Sequence, residues 1–147
     1  MEIKLTHQES ENYFHSALCN GLNYIQGHGI YVDWNKQQYE KASKILKEKI
    51  ANKEEMPHTM TKFVSNNEYT VCHEDVLMQI LHSGGFLKLV DEEGDGDQNS
   101  AIQLKDVHER VQLTDIDHLS DMINETDDAV TADVIIQTVF LKEIVFG

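Results

Sequence analysis

The sequence predicts a single α+β domain, residues 1–147, with about five helices packed on a small, mainly antiparallel sheet. Three observations support this fold class. Helix-capping signals precede runs of apolar residues at helical spacing. Residues 86–104 contain two extended segments around a run of turn-forming residues, which predicts a β-hairpin. The 147 residues, 40% of them apolar, suffice for one hydrophobic core without disulfides or a metal.

Two helices are predicted in the first 50 residues. Thr6 and Glu9 have the spacing of a capping box, so we expect the first helix to begin there and to continue to about Gln26. A glycine pair follows and ends it, since glycine readily adopts the left-handed conformation that closes a helix. The second helix begins near Asp33 or Asn35, either of which can cap it.

The middle of the chain predicts a third helix and the hairpin. The helix spans 74–82 and is ended by a Ser-Gly-Gly sequence. Residues 86–91 alternate in polarity, and residues 101–104 are the expected return strand. A polar loop rich in Gly and Asp joins the two segments, which is typical of a β-hairpin with a long tip.

The C-terminal third predicts three further helices. The first is a short helix that Asp106 can cap and that holds Val107 and Val111. Thr114 and Asp117 have capping-box spacing, and a last helix over 132–141 is expected to be buried on most sides and to lead into a terminal strand. The helix that follows Thr114 is expected to bury four residues, Ile116, Leu119, Met122 and Ile123. Across the whole domain we expect a core that contains Leu18, Leu22, Ile45, Leu77, Ile80, Leu89, Ile123, Ile136 and Phe140.

Acidic residues are concentrated near the C-terminus. The chain has 26 acidic and 12 basic residues, a formal charge of −14, and residues 91–147 account for −12 of it. The chain has one arginine, Arg110, and no basic stripe, which disfavours direct binding to nucleic acid or to an anionic membrane. No segment approaches the roughly 18 apolar residues of a membrane span. The charge favours a basic protein partner.

The leading hypothesis is a non-enzymatic interaction protein that acts through this acidic surface. Four of the acids recur at spacings of four, four and three, which places them on one side of a helix. The predicted partner-binding residues are these four with two acids of the 91–97 loop: Asp117, Asp121, Glu125, Asp128, Asp95 and Asp97. A special case is an inhibitor that mimics nucleic acid by presenting carboxylates at phosphate-like spacing. The rival interpretation is a solvated surface that maintains solubility.

The alternative hypothesis is a small-molecule- or metal-binding domain, such as a small hydrolase. Segment 20–34 combines neutral polar side chains, aromatic rings and glycines with a single charge, a composition typical of ligand pockets. The predicted pocket residues are Asn20, Tyr24, His28, Tyr31 and Trp34. A helix–loop–helix corner with inward-facing aromatic rings would show the same composition.

The metal and catalytic patterns are weak. The Asp91–Asp97 loop has five carboxylates in seven residues, but Ile102 occupies the position at which an EF-hand requires glutamate. The histidines lack zinc-ligand spacing. Cys72, at a helix N-terminus, is a better candidate for a reactive thiol than Cys19. We therefore predict no catalytic residue, no metal site and no cofactor.

The remaining expectations concern location and assembly. Residues 1–14 carry acids and no apolar core, so we expect no signal peptide. Two cysteines without a framework pattern favour a reducing, cytoplasmic location. A third hypothesis is a homo-oligomer in which short edge strands at Ile3–Leu5 and Ile144–Phe146 pair between subunits.

Overall fold

Helices form most of the chain that the computed structural model describes, which is residues 3–52, 62–64, 68–92 and 100–147. Six helices occur in these ranges: α1 (His7–Ile25), α2 (Lys36–Ala51), α3 (His73–His82), α4 (Leu104–Arg110), α5 (Ile116–Ile123) and α6 (Ala129–Leu141). The strands are β1 (Ile30–Trp34), β2 (Lys62–Val64), β3 (Glu68–Thr70), β4 (Leu87–Asp91) and β5 (Ser100–Ile102). The predicted α+β class is confirmed.

The first helix begins as the sequence predicts. The Thr6 hydroxyl accepts a hydrogen bond from the Glu9 backbone N at 3.0 Å, and the Thr6 N donates to the Glu9 carboxylate at 2.9 Å. These two bonds satisfy backbone donors that the first helical turn leaves unpaired. Gly29, with φ of 76°, ends the short 3-10 turn that follows α1, and β1 begins at the next residue.

The main sheet has three antiparallel strands in the order β1-β4-β5. The predicted hairpin is confirmed, because Leu87 pairs with Ile102 and Leu89 with Ser100. Alternate residues on the three strands are buried, so the helices cover one face of the sheet. The buried strand residues are Ile30, Val32, Leu87, Leu89 and Ile102. Strands β2 and β3 pair with each other in a separate antiparallel ribbon.

The core lies between α1, α6, α3 and the buried face of the sheet. Six of the nine predicted core residues are fully buried: Leu18, Leu77, Ile80, Leu89, Ile136 and Phe140. Leu22 and Ile45 are only half-buried. Ile123 is 51% exposed, so its assignment to the core was wrong. The buried side of α5 carries Leu119 and Met122 instead, and a helix of eight residues is too short to bury a wider stripe.

Helix α6 is buried on most sides, as predicted. Its residues from Thr131 to Phe140 are buried except for Val134. It has 13 residues, and no helix in the described part of the chain is both long and apolar enough to cross a membrane.

The two predicted edge strands pair with no other strand within the described part of the chain. The Leu5 backbone N donates to the side-chain oxygen of Gln112 at 3.2 Å. At the other end, the Gln137 Oε1 accepts from the Val145 N at 2.9 Å and from the Phe146 N at 2.8 Å. Because glutamine side chains take up these backbone donors, segments 3–5 and 144–146 are held without strand pairing.

The predicted start of α5 is displaced by one residue. Asp115, not Thr114, is the N-cap, and its carboxylate accepts from the Asp117 backbone N at 3.0 Å. Thr114 is buried, and its hydroxyl has no hydrogen-bond partner among the described residues. An aspartate caps a helix as well as a threonine does, so the helix itself forms where the sequence predicts it.

Replacement of Gly21 by alanine tests the packing of α1 on α6. An added Cβ would lie 2.9 Å from both the Ala132 Cβ and the Ile136 Cδ1. We expect Gly21→Ala to lower the free energy of unfolding, measured in urea, by about 1–2 kcal/mol, because overpacking outweighs the gain in helix propensity.

The matched control for this prediction is Gly27→Ala. No atom lies within 4 Å of the Cβ that this change adds. We expect a change within about 0.5 kcal/mol. Equal stabilities of the two variants would show that the two helices do not approach closely at Gly21.

Candidate functional site

The first candidate site is an exposed side of α5, which we call the α5 surface and define as Leu113, Asp115, Ile116, Asp117, Asp121 and Ile123. Ile116 and Ile123, seven residues apart, lie on the same side of the helix, and they are 49% and 51% exposed. Leu113, just before the helix, is 63% exposed. Asp117 and Asp121 are four residues apart and lie about 100° to 160° around the helix from the isoleucines, and Asp121 is half-buried. The apolar and the acidic side chains therefore lie on different sides of α5, and the α5 surface includes both.

Contacts to α6 fix the orientation of this surface. The His118 Nδ1 lies 3.0 Å from the Thr131 hydroxyl, and Leu119 and Met122 are buried below it. Arg110, one of the basic residues of segment 100–147, binds groups of the protein itself. Its guanidinium lies 3.2 Å from the Asp106 carboxylate and donates to the Val139 carbonyl oxygen at 2.8 Å.

The four predicted partner-binding acids do not form one helical stripe. Asp117 and Asp121 do lie on α5, but the helix ends at Ile123, and Glu125 follows it with a φ of 58°. Asp128 instead caps α6 and accepts from the Thr131 backbone N at 3.0 Å, and this hydrogen bond lowers the pKa of Asp128. The spacing of four, four and three would place the acids on one side of a helix only if the helix continued to Asp128, and α5 ends at Ile123. The other two predicted acids, Asp95 and Asp97, lie outside the described residues.

The second candidate site is a cleft between α1 and β1, which we call the α1–β1 cleft. It has a volume of about 680 Å³. Its walls are formed by α1, by β1, by the start of α3 and by the residue after β4: Cys19, Asn20, Leu22, Asn23, Gln26, Ile30, Tyr31, Val32, Trp34, His73, Glu74 and Glu92. Mixed polar and apolar walls and this volume are typical of small-molecule sites.

Three of the five predicted pocket residues line this cleft and two do not. Asn20, Tyr31 and Trp34 face it. His28 instead lies 3.1 Å from the Asp133 carboxylate, and Tyr24 packs edge-on against His28 with ring centroids 5.9 Å apart. The 3-10 turn after α1 directs His28 toward α6, because Asp133 offers its imidazole a partly buried acceptor.

Other cleft residues were missed by the sequence analysis. Cys19, Asn23 and Gln26 recur at i, i+4 and i+7, so their shared side of α1 was detectable from helical spacing. His73 and Glu74 are brought to the cleft by the start of α3, about 40 residues after β1. No local sequence signal marks such a long-range contact.

Aromatic rings form one end of the cleft. The Trp34 ring packs against Tyr39 at a centroid distance of 5.2 Å and meets the edge of His73 at 4.8 Å. The Tyr39 hydroxyl lies 2.9 Å from the His73 Nδ1. Burial lowers the pKa of His73 and raises that of Tyr39, so both side chains are neutral near pH 7. The tautomer of the neutral His73 ring then decides which of the two groups donates in this hydrogen bond.

A buried network of histidines and carboxylates lies along one side of α1. The Glu11 carboxylate accepts from the Nε2 atoms of His82 at 2.7 Å and His108 at 2.9 Å. One turn later, the His15 Nε2 donates to the Asp75 carboxylate at 2.8 Å. These bonds tie α1 to α3 and α4. No three of the His, Cys, Asp and Glu side chains that the structure describes are arranged to hold a metal ion.

The two cysteines differ in their surroundings. Cys19 lines the cleft, and its Sγ lies 3.9 Å from the His15 Nε2. Cys72, which the sequence favours as a reactive thiol, is the N-cap residue of α3, and its side chain makes no capping hydrogen bond. His15 thus lies beside Cys19, which follows it by one turn of α1.

The His15–Asp75 pair predicts a pH dependence of stability. Burial lowers the pKa of His15, but hydrogen bonds to Asp75 and Cys19 outweigh it and raise the pKa from 6.5 to about 9. Because the folded-state pKa is the higher one, the stabilisation is complete below pH 6.5 and is lost as the pH rises through 9. We expect the free energy of unfolding in urea to fall by up to about 3 kcal/mol over this range.

Two variants check the assignment of this pH dependence. Asp75→Asn removes the carboxylate that holds the proton on His15, so the fall above pH 6.5 should disappear. Asp33→Asn removes an exposed carboxylate of β1 and should leave the fall unchanged. A flat stability profile of the unmodified protein would contradict the ion pair.

Comparison with known proteins gives no relative for this chain. The chain matches no protein-family model, no curated protein and no solved structure. The geometry and charge of the α5 surface and the α1–β1 cleft therefore carry the functional interpretation.

Proposed function

We propose that this protein is a non-enzymatic interaction protein that binds a basic protein partner through the α5 surface. The observation that carries the proposal is the exposure of Ile116 and Ile123 beside Asp117 and Asp121 on one short helix. An exposed apolar patch with a polar rim is typical of protein interaction sites.

The partner that fits this surface is an amphipathic segment with lysines or arginines beside its apolar side chains. Complete burial of an isoleucine side chain contributes about 1.5–3 kcal/mol, and Ile116 and Ile123 are 49% and 51% exposed, so together they can supply about 1.5–3 kcal/mol of the binding free energy. This is about a fifth to a third of the roughly 8 kcal/mol of a micromolar affinity. The carboxylates of Asp117 and Asp121 add long-range attraction, which speeds association and selects against acidic partners.

Nucleic-acid mimicry is the less favoured form of this function. A mimic needs carboxylates at regular, phosphate-like spacing, whereas Asp128 is bound as the cap of α6 and Glu125 lies beyond the end of α5. The isoleucines also have no counterpart on a phosphate backbone. We therefore favour a partner segment with apolar residues over a basic groove evolved for nucleic acid.

We place this interaction in the cytoplasm. Cys19 and Cys72 form no disulfide with each other, which suits a reducing compartment. The partner is a protein and not a nucleic acid, because the chain has a formal charge of −14 and a single arginine.

The proposal is tested with a fluorescein-labelled, 18-residue helical peptide of leucine and lysine, by fluorescence anisotropy. We expect binding that weakens as salt is raised, since salt screens exposed charges. Ile116→Ser/Ile123→Ser should weaken binding by about tenfold or more, because apolar contact area is lost. Each position is about half exposed, so the free energy of unfolding should fall by no more than about 3 kcal/mol, and binding is measured under conditions in which the variant is folded.

The matched control is Ile144→Ser/Val145→Ser, which removes two apolar side chains that are 49% and 38% exposed outside the α5 surface. This variant should bind the peptide as the unmodified protein does. A peptide with serine in place of leucine and the same lysines should bind more weakly. Equal binding by the two double variants would overturn the proposal, and equal binding of the two peptides would favour nucleic-acid mimicry.

A further inference from the structure

The α1–β1 cleft has an acidic group at each end. Strand β1 forms one wall, and its five residues span about 13 Å. Glu92 lies at the Ile30 end, because its backbone N donates to the Gly29 carbonyl oxygen at 2.9 Å. Glu74 lies at the Trp34 end, since it follows His73, whose ring contacts Trp34.

Neither Glu74 nor Glu92 forms an ion pair with a lysine, arginine or histidine in the part of the chain that the structure describes. The described residues that line the cleft include no lysine and no arginine. Two positive charges on a ligand would pair with the carboxylates at the two ends of the cleft.

Between its ends the cleft offers apolar surface and hydrogen-bond acceptors. Leu22, Ile30 and Val32 supply aliphatic contact area. Asn20, Asn23 and Gln26, on α1, supply amide oxygens that accept hydrogen bonds. The Asn20 Nδ2 donates to the Asp127 carboxylate at 3.3 Å, which leaves its Oδ1 as an acceptor.

The aromatic end is rigid before any ligand binds. Trp34 packs against both Tyr39 and His73, and the Tyr39 hydroxyl is hydrogen-bonded to His73. An ammonium group beside Glu74 would lie near the Trp34 ring, where the face of an indole attracts a cation. Preorganised walls lower the entropic cost of binding.

We propose that the α1–β1 cleft binds a linear aliphatic polyamine, with one ammonium group beside Glu74, another beside Glu92 and the alkyl chain along the cleft. The alkyl chain contacts Leu22, Ile30 and Val32, and the amines donate to the amides of α1. An elongated cation fits better than a compact one, because the two acidic ends are separated by the length of β1. The site is independent of the α5 surface.

Trp34 is the only tryptophan of the chain, so its fluorescence reports on this cleft directly. We expect spermidine to change the Trp34 emission saturably. Butylamine, which has one charge, should bind at least about tenfold more weakly, because one charge-assisted hydrogen bond is lost. The neutral 1,8-octanediol should give no saturable change.

The critical comparison separates the cleft from diffuse attraction to an acidic protein. Glu74→Gln/Glu92→Gln should weaken spermidine binding by about tenfold for each carboxylate removed. Glu40→Gln/Glu48→Gln removes the same charge from exposed positions of α2 and should leave the binding unchanged. If the cleft variant is destabilised, Glu92→Gln alone, at an exposed position, should still weaken binding.

Three results would overturn the proposal. They are equal weakening by the two double variants, equal binding of spermidine and butylamine, and a Trp34 emission that does not respond to spermidine. The peptide experiment on the α5 surface uses other residues and another readout. Failure of the polyamine site therefore leaves the result for the α5 surface intact.

Discussion

The close approach of α1 and α6 is the constraint on which the rest of the structure depends. Gly21 brings the two backbones so near that an added methyl group would overlap Ala132 and Ile136. With α6 in place, α5 can attach through Leu119 and Met122. A second side of α1 is fixed by polar bonds, from Glu11 to His82 and His108 and from His15 to Asp75, so the helix is held by neighbours on two sides.

The two candidate sites arise in different ways. The side of α1 that carries Asn20, Asn23 and Gln26 is exposed, and it becomes a wall of the cleft. The α5 surface has the opposite origin, since an eight-residue helix buries only one narrow side. Its isoleucines are about half exposed because they lie outside that buried side.

Local signals in the sequence were sufficient to predict the helices and the hairpin. They were insufficient to predict which residues these elements contact. The Thr6–Glu9 capping box and the alternation in β4 act within a few residues, so they predicted α1 and the hairpin correctly. The exposure of Ile123 and the position of His28 depend on distant partners. The missing terminal strands show the same limit, because the glutamines that bind those segments lie elsewhere in the chain.

The pairing of α1 with α6 also affects how the chain acquires its fold during translation. Gly21 and Ala132 are 111 residues apart, so at about 5–20 residues per second the ribosome needs roughly 5–20 s to supply the partner of α1. Throughout that interval Phe14, Leu18 and Ile25 have no α6 to pack against. The nascent chain therefore exposes an amphipathic helix of the kind that chaperones bind, and folding of the domain is completed only after α6 has left the exit tunnel.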